Sequence, residues 1–431
     1  MHTSIWESGI ELPEFPKLEG DLKTDVLVIG GGICGLLCAY ELKQAGVNCA
    51  LVEANQIASG VTTGTTAKIT ALHGLIYGDL LKKYGLETAE KYYYVNQNAV
   101  EKFAKTAQRA DCDFQRKTAY TYSLQDREKI EREFSVLQRI GAKPEMQYQS
   151  PLPIPFAAAV GLQEQAQFHP LKFLNHICKD LQIYEHTRVT EFTPNYILCG
   201  KNKIFAKKII VATHFPMLNK HGMYFLKLFQ HRSYVLGIEG APCPDGMYVD
   251  ARDKGLSFRS HKGVLLLGGG GGRTGKPCGG WGELDRFRRK FYPNSQVKFQ
   301  WATQDCISLD RIPLIGQYSP NTPNLYVATG FNKWGMTSSM AAAGILTDLI
   351  CGRKNDCADI FAPDRSIWKP QLFTNGFETL TNFLYPTVRR CPHLGCALKW
   401  NKQERSWDCS CHGSRFAPDG KLLNNPANRN R

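Results

Sequence analysis

The sequence predicts an α/β fold whose first unit is a buried strand, a helix and a second, parallel strand. Residues 25–30 form a short apolar run with three β-branched residues, which is typical of a strand buried on both faces. Residues 33–44 have a helical pattern that ends just before Gly46, a favourable C-cap. A second apolar run over residues 47–52 completes the unit.

Three glycines connect the first strand to the helix with the spacing G-x-G-x-x-G. Gly30 allows a tight turn, Gly32 lets a pyrophosphate approach the backbone, and Gly35 lets the helix pack close to the strand. The amide groups at the start of the helix face those phosphates. Glu53, at the end of the second strand, can accept hydrogen bonds from a ribose. The whole arrangement predicts a dinucleotide site.

Later segments favour FAD over NAD as the dinucleotide. Residues 58–68 are small, hydroxylated and rich in glycine, which suits a loop that wraps phosphate and a flavin edge. A buried strand at 324–330 leads into an alanine-rich helix at 337–350, whose first amides would stabilise negative charge on a reduced ring. The predicted cofactor contacts in these and neighbouring segments are Ser59, Gly60, Thr65, Thr66, Ala67, Val189, Ala212, Thr213, Gly330, Gly335, Met336 and Thr337.

The order of these segments resembles the FAD-dependent oxidoreductases of the D-amino-acid-oxidase class, which includes glycine and sarcosine oxidases. The resemblance covers about residues 20–355. It implies a Rossmann-like FAD-binding domain and an inserted α+β substrate domain. The FAD-binding domain would comprise residues 20–84, 151–214 and 306–355, and the substrate domain residues 85–150 and 215–305.

Membership of this class implies oxidation of a C–N bond in a small amine or amino acid. Arg232 and Tyr234 are then candidates to hold a substrate carboxylate, because family enzymes use such residues in the substrate domain. Lys68 follows the threonine-rich loop and is a candidate to border the flavin ring. For each of the three side chains, an ion-paired or packed structural role is the alternative.

The C-terminal region contains two matching boxes, C-P-H-L-G-C at 391–396 and C-S-C-H-G-S at 409–414. Each box supplies cysteine and histidine on a short loop. Two cysteines and two histidines suit tetrahedral Zn²⁺, but a zinc finger of that ligand set pairs C-x₂₋₄-C with H-x₃₋₅-H. Here the orders are C-x-H and C-x-x-H with two cysteines to spare, so zinc is the weaker alternative.

The boxes resemble a Rieske [2Fe–2S] centre, in which two cysteines hold one iron and two histidines the other. The ligands implied by the resemblance are Cys391, His393, Cys409 and His412. It also implies a disulfide between Cys396 and Cys411. The segment, residues 366–431, is expected to be truncated, because few strands are predicted around the boxes. Its loops would then need contacts with the flavin domain for support.

Charge and hydropathy limit the partners. The net charge is +14, and residues 365–431 hold eleven Lys or Arg against four Asp or Glu. A basic surface of this kind suits an acidic protein electron acceptor. Nucleic acid is disfavoured because no long basic run with interleaved aromatic residues occurs.

The longest uncharged apolar run, residues 26–40, is shorter than the ~20 residues of a membrane span, and the first twenty residues do not resemble a secretory signal. A cytoplasmic protein is therefore expected.

The leading hypothesis is an oxidoreductase that passes electrons from FAD through a Rieske cluster to a protein acceptor. The first alternative is an electron-transfer or redox-sensing module that has no small amine substrate. The second alternative is a flavoprotein that acts on RNA.

Overall fold

The computed structural model describes residues 3–218 and 221–431. In chain order its strands are β1 Leu22–Ile29, β2 Cys49–Val52, β3 Lys68–Ile69, β4 Gln115–Ser123, β5 Pro144–Gln147, β6 Ala158–Gln167, β7 Gln182–Tyr184, β8 Glu191–Phe192, β9 Ile197–Cys199, β10 Asn202–Val211, β11 Leu228–Glu239, β12 Met247–Asp250, β13 Ser257–His261, β14 Val264–Arg273, β15 Gln296–Ser308, β16 Leu314–Gln317, β17 Leu325–Thr329, β18 Leu398–Asn401, β19 Ser406–Cys409, β20 Arg415–Phe416 and β21 Leu422–Asn424. The helices are α1 Ile33–Gln44, α2 Ile76–Tyr84, α3 Leu86–Ala107, α4 Arg127–Arg139, α5 Pro170–Ile177, α6 Tyr224–Lys227, α7 Gly280–Phe291, α8 Gly335–Ile350, α9 Ala358–Phe361 and α10 Pro370–Leu384.

The first sheet has the strand order β16-β17-β10-β1-β2-β7, and β8 and β9 continue it beside β10. Strands β17, β10, β1, β2 and β7 are parallel. Helices α1 and α8 pack against each other and supply a large part of the main hydrophobic core. The predicted helix at 33–44 is confirmed as α1, and the strands predicted around residues 25–30, 47–52 and 324–330 are β1, β2 and β17.

The second sheet has the order β15-β11-β14-β13-β12-β4-β6-β3, with β5 beside β6. Two strands of this sheet, β3 and β6, come from stretches that were assigned to the FAD-binding domain. Strand β6 falls in the stretch 151–214 that was assigned to the FAD-binding domain, but it pairs with β4 over almost its whole length. Because β4 lies in the predicted substrate domain, backbone hydrogen bonding places β6 in the substrate sheet as well.

The C-terminal segment forms a small antiparallel sheet, β18-β19-β20-β21, whose strands are two to four residues long. Residues 370–384, which precede the first box, form the fifteen-residue helix α10. Within the two described ranges, none of the helices is both long and apolar enough to cross a lipid bilayer.

Candidate functional site

A cavity of about 1590 Å³ lies between the first two sheets and reaches the C-terminal segment. It exceeds the roughly 300–1000 Å³ of ordinary small-molecule pockets, so it has room for a large cofactor together with a substrate. Most of the predicted cofactor contacts line it: Gly30, Gly32, Glu53, Ser59, Gly60, Thr65, Thr66, Val189, Ala212, Thr213, Gly330, Gly335 and Met336. Gly35, Ala67 and Thr337 are not among the residues that line it.

The glycine turn leaves no room for a side chain at Gly30 and Gly35. Gly30 has a φ of +110°, and a Cβ there would lie 2.6 Å from the carbonyl oxygen of Ala212. A Cβ on Gly35 would overlap the carbonyl oxygen of Gly30, which explains why Gly35 acts in helix packing and not at the cavity wall. Gly32 faces open space apart from Thr62 Oγ1 at 3.5 Å. The turn therefore fits the close approach of a pyrophosphate.

Glu53 is fixed at the cavity wall by backbone amides. Its carboxylate accepts hydrogen bonds from the amides of Gly31, at 2.7 Å, and Asn55, at 2.8 Å. These bonds hold the carboxylate next to the glycine turn, where a ribose can donate to its remaining lone pairs. Thr337 instead turns away from the cavity, because its hydroxyl donates to the buried carbonyl of Thr70 at 3.0 Å.

Lys68 also lines the cavity. Its ammonium contacts the hydroxyls of Thr66, at 3.1 Å, and Ser257, at 3.5 Å, and no carboxylate within the described ranges lies at ion-pair distance. Burial and the charge of Arg259 lower the pKa of Lys68 to about 7. Arg259 itself is fully buried and donates to the carbonyl of Ala67 at 2.8 Å, so it braces the loop and does not face the cavity. The lysine is thus a partly buried amine that lacks an anionic partner among the described residues.

Two cavity residues were missed by the sequence analysis. His231 of β11 and Asp305 of β15 are cross-strand neighbours, and both line the cavity together with Lys333. Burial raises the pKa of Asp305 to about 6, although the charge of Lys333 opposes the shift. No hydrogen bond to the Asp305 carboxylate is formed by the residues that the structure describes. Only the pairing of β11 with β15 brings the two residues together, so no local sequence signal marks them.

Alternating side chains give the β11–β15 pair two different faces. On one face, Trp301 donates to the carbonyl of Gly64 at 2.9 Å, in the loop predicted to wrap the flavin. Thr303 and Asp305 share that face. On the opposite face, Gln304 contacts the C-terminal segment. The strand pair therefore lies between the flavin-loop side of the cavity and the cysteine- and histidine-rich loops, and Gln304 itself also lines the cavity.

Arg232 and Tyr234 have a partner that the sequence did not indicate. The Arg232 guanidinium binds the Glu404 carboxylate at two points, with Nε to Oε1 at 2.9 Å, and the Tyr234 hydroxyl donates to the same carboxylate at 3.1 Å. The predicted role was to hold a substrate carboxylate. Both side chains do hold a carboxylate, but it is that of Glu404 in the C-terminal segment.

The Glu404 contact belongs to a buried network of four charges. Arg415 donates to Glu404 at 2.8 Å and to Asp408 at 3.0 Å. Each of these three side chains, like that of Arg232, is at most 10% exposed. Two guanidinium groups and two carboxylates balance one another, which offsets the cost of burying them.

The four predicted iron ligands come from the two C-terminal boxes, where Cys391 neighbours Cys409 and His393 neighbours His412. Hydrogen bonding to the neighbouring Cys391 thiol lowers the pKa of Cys409 well below its ordinary value, which favours the thiolate that a metal needs. The rings of His393 and His412 lie 5.0 Å apart. The buried Nδ1 atom of His412 has no hydrogen-bond partner among the described residues. A thiolate beside an imidazole nitrogen without a partner fits the ligand set of a Rieske cluster.

Cys396 and Cys411 are separate thiols in the structure. Their Sγ atoms and that of Cys409 all lie within 4.8 Å of one another. The disulfide is thus not formed here, although the two boxes bring its cysteines side by side. The pairing stays a prediction.

The second sheet holds the cluster loops through their backbone carbonyls. Gln230 donates to the carbonyl of His412 at 2.9 Å, and Gln304 donates to that of Gly413 at 2.9 Å. Arg273 donates to the carbonyls of residues 410 and 411, at 2.8 and 2.9 Å. These donors give the support that a larger C-terminal sheet would give. The expected support was the flavin domain, whereas Gln230, Arg273 and Gln304 lie in the predicted substrate domain, residues 215–305.

The first sheet also contacts the cluster loops directly. The Asn425 side chain donates to the carbonyls of Thr213, at 2.7 Å, and Phe215, at 3.0 Å. The ring of Phe215 packs edge-on against both histidines, with centroid distances of 6.2 Å to His393 and 6.4 Å to His412. Because Thr213 lines the cavity, the histidine side of the cluster site faces the cavity wall.

Comparison with known families agrees with both sites. The family model described as FAD dependent oxidoreductase matches residues 25–349, and the Rieske [2Fe-2S] domain model matches residues 373–430. The chain belongs to the FAD-dependent oxidoreductase family and carries a C-terminal Rieske domain. Its cofactors are FAD and a [2Fe–2S] cluster, as the glycine turn and the cysteine–histidine boxes predict. The oxidoreductase assignment and the predicted fold class are confirmed.

Individual relatives support the same two-part organisation. The chain is 32% identical to the Rieske 2Fe-2S iron-sulfur protein YhfW of Bacillus subtilis (strain 168), and the alignment covers 98% of this chain and 96% of that protein. The fold of this chain is similar to that of L-proline dehydrogenase from P. horikoshii, with a TM-score of 0.67 and 18% identity. The match covers 80% of this chain and 98% of that one. Glycine oxidase from Geobacillus kaustophilus gives a TM-score of 0.66, 16% identity and coverage of 80% and 99%.

Proposed function

We propose that this FAD-dependent oxidoreductase oxidises a small amine or amino acid and delivers the electrons through its Rieske cluster to a protein acceptor. Oxidation of an amine to an imine releases two electrons and two protons; bound FAD accepts the electron pair, and a [2Fe–2S] cluster passes electrons on singly. Two one-electron acceptors are then reduced for each imine formed. The similarity in fold to an amino-acid dehydrogenase and an amine oxidase supports this substrate class.

The observation that carries the proposal is the position of the cluster loops against the cavity wall. His231 and Asp305 line the cavity from one face of the β11–β15 pair, while Gln230 and Gln304 hold the cluster loops from the other. Gln304 also lines the cavity, so the cavity and the cluster loops adjoin each other at this strand pair. Donors at 2.9 Å to the loop carbonyls keep that arrangement fixed.

Charged residues in the cavity suit an amino acid. Lys68 is partly buried and has no carboxylate partner among the described residues, so a substrate carboxylate would pair with its charged form. Asp305 is a carboxylate without a hydrogen-bond donor, and it would accept hydrogen bonds from a substrate ammonium group. The raised pKa of Asp305, about 6, still leaves it largely ionised at pH 7. We assign substrate recognition to these two residues and docking of the Rieske domain to Arg232 and Tyr234.

The test separates oxidation of the substrate from onward transfer of electrons. Purified holoenzyme is mixed anaerobically with a panel of amines and amino acids, while flavin absorbance and the reduced-cluster EPR signal are recorded. The same reactions are repeated with Cys409→Ser, and with Cys243→Ser, an exposed cysteine, as the matched control. Cytochrome c serves as the protein acceptor probe.

We expect the wild type and Cys243→Ser to bleach the flavin, reduce the cluster and reduce cytochrome c. Cys409→Ser should still bleach the flavin but lose the cluster signal and the reduction of cytochrome c. Undiminished reduction of cytochrome c by Cys409→Ser contradicts the electron relay. If no compound in the panel bleaches the flavin of the wild type, the substrate proposal fails and an electron-transfer module is favoured.

A further inference from the structure

Helix α10 has the reverse of the usual amphipathic arrangement. A surface helix normally turns its apolar stripe to the core and its polar residues to water. In α10, Asn375 and Asn382 are buried, at 5% and 2% exposure, whereas Phe373 and Phe377 are each 67% exposed. The polar face thus meets the protein and the apolar face meets solvent.

Polar contacts hold the buried face of α10 in place. Asn375 accepts a hydrogen bond from Arg273 at 2.7 Å, and Glu378 forms an ion pair with Lys276 at 2.7 Å. The backbone carbonyl of Asn382 accepts from an amide of the C-terminal segment, at 3.0 Å. These bonds fix the orientation of the helix, so the exposure of its apolar face follows from specific contacts.

The exposed apolar face is large and continuous. Residues 373, 377, 380 and 384 follow the i, i+4, i+7, i+11 spacing of one helical stripe. Eight large apolar residues of this region are each more than half exposed: Trp368, Phe373, Phe377, Leu380, Phe383, Leu384, Tyr385 and Val388. We call these eight residues the apolar ridge. Exposed apolar patches of this kind mark sites of protein or membrane interaction.

Basic residues adjoin both ends of the apolar ridge. Lys369 precedes α10, and Arg390 and Lys399 lie near the rings of Phe383 and Tyr385. None of these three basic residues forms an ion pair with another described residue. Three of the four acidic residues in residues 365–431 are already paired with cations: Glu378, Glu404 and Asp408. Within residues 365–431 the charge beside the ridge is therefore positive, and the exposed Asp364 lies just before this stretch.

We propose that the apolar ridge inserts into the surface of an anionic lipid bilayer. Trp, Phe and Leu on one face of a helix with flanking Lys and Arg are characteristic of helices that lie in the membrane interface. The ridge projects from α10 and the residues that flank it, and a lipid surface adapts to such a convex shape, whereas a protein partner would need a matching groove. Nearby cations add attraction to anionic headgroups.

Such insertion would hold the Rieske domain at the membrane surface. The carbonyls of Phe383 and Tyr385 accept hydrogen bonds from Arg390, which directly precedes the first cysteine of the cluster site. Leu394, in the first box, is also exposed. Lipid binding would therefore bring the cluster loop close to acceptors that reside in or on the bilayer. The inference rests on α10 and its surroundings and does not depend on the identity of the substrate.

The test uses full-length holoenzyme and sedimentation with vesicles. One set of vesicles contains phosphatidylcholine alone, and the other contains equal parts of phosphatidylcholine and phosphatidylglycerol. The variant Phe373→Ser/Phe377→Ser removes two ridge residues, and Tyr94→Ser removes an aromatic side chain that is 62% exposed on α3 as a control. Flavin absorbance and the cluster EPR signal verify that each variant is folded.

We expect the wild type and Tyr94→Ser to bind the anionic vesicles, more weakly in high salt, and to bind phosphatidylcholine vesicles less. Loss of buried apolar area should weaken binding by roughly tenfold for each phenylalanine removed. Three outcomes overturn the proposal. The first is equal vesicle binding by the wild type and the double variant. The second is an absence of vesicle binding with a dimer that the double variant dissociates, which identifies a second copy as the occupant. The third is an absence of vesicle binding with slower cytochrome c reduction by the double variant, which identifies a protein partner.

Discussion

Replacing Glu404 by alanine tests how the Rieske domain is attached to the oxidoreductase domain. Glu404 accepts hydrogen bonds from Arg232 and Tyr234 of β11 and from Arg415 within its own domain. The Arg415 guanidinium keeps its ion pair with Asp408 after the substitution. Arg232 loses its carboxylate partner, although its side chain is only 10% exposed.

The cost follows from the buried charge that is left behind. Removing one partner of a buried ion pair destabilises a protein by about 3–5 kcal/mol, because the remaining charge is desolvated without compensation. Glu239→Ala is the matched control, since Glu239 pairs with Lys298 on the surface and both side chains are at least half exposed. Such an exposed pair contributes less than about 1 kcal/mol.

Hydrogen exchange measures the effect where it occurs. The amides of β19 and β20 report local opening of the Rieske domain, and their protection gives the free energy of that opening. We expect Glu404→Ala to lower the free energy of opening by about 3–5 kcal/mol. Glu239→Ala should leave that free energy unchanged within about 1 kcal/mol. The double variant Arg232→Met/Glu404→Leu should recover most of the loss, because it removes both charges of the pair.

The same contact predicts a dependence on pH. Burial acts to raise the pKa of Glu404, but the charges and hydrogen bonds of Arg232 and Arg415 outweigh it, so the pKa lies below its ordinary value. A carboxyl group with a lowered folded-state pKa contributes its full stability above the unfolded value of about 4.3. That contribution is lost as the pH falls through the folded value. The free energy of opening of the Rieske domain should therefore fall in acid in the wild type. It should fall less in Glu404→Ala.

Two results would refute this reasoning. One is a change of less than about 1 kcal/mol in the β19 opening free energy of Glu404→Ala. The other is a loss in Arg232→Met/Glu404→Leu as large as in Glu404→Ala, since that would show that an unpaired buried charge is not the cause.

Three further predictions concern the cofactor and substrate sites. Lys68→Met should raise KM for an amino-acid substrate at pH 6. In the wild type, KM should rise as the pH passes about 7, because Lys68 then loses its charge. Steady-state kinetics measured as a function of pH check both predictions. Gly35→Ala should abolish FAD retention because its Cβ overlaps the carbonyl of Gly30, whereas Gly376→Ala, with open space around it, should keep the normal ratio of flavin to protein absorbance. Gln304→Leu leaves the carbonyl of Gly413 without its donor. It should lower the free energy of opening of the Rieske domain by about 1–3 kcal/mol in the same exchange experiment.

Features encoded by short spacings were predictable from the sequence. The turn from Gly30 to Gly35 is built by six consecutive residues, and steric contact with Ala212 then requires glycine. The two boxes at 391–396 and 409–414 similarly bring their thiols and imidazoles together through short loops. In both cases, residues close in the chain carry most of the chemistry, so the pattern of residue types identified FAD and the cluster.

Features that depend on distant segments were not predictable. Arg232 and Glu404 are 172 positions apart, and nothing near Arg232 in the chain indicates whether it meets a substrate or another domain. The approach of Asp305 to His231 depends on the register of β11 against β15. The apolar character of α10 is visible in the sequence, but which of its faces is exposed depends on partners such as Arg273 and Lys276.

The sequence by itself determined the two cofactors, the oxidoreductase family and the order of the domains, because each is encoded in local spacing and in short stretches of buried strand and helix. Only the tertiary structure decided that Arg232 and Tyr234 hold Glu404, that Asp305 faces the cavity, and that the cluster loops rest on the far side of the cavity wall. The physical reason is that a side chain's partner is chosen by packing between segments far apart in the chain, where many pairings satisfy the same residue types and only the folded backbone selects one.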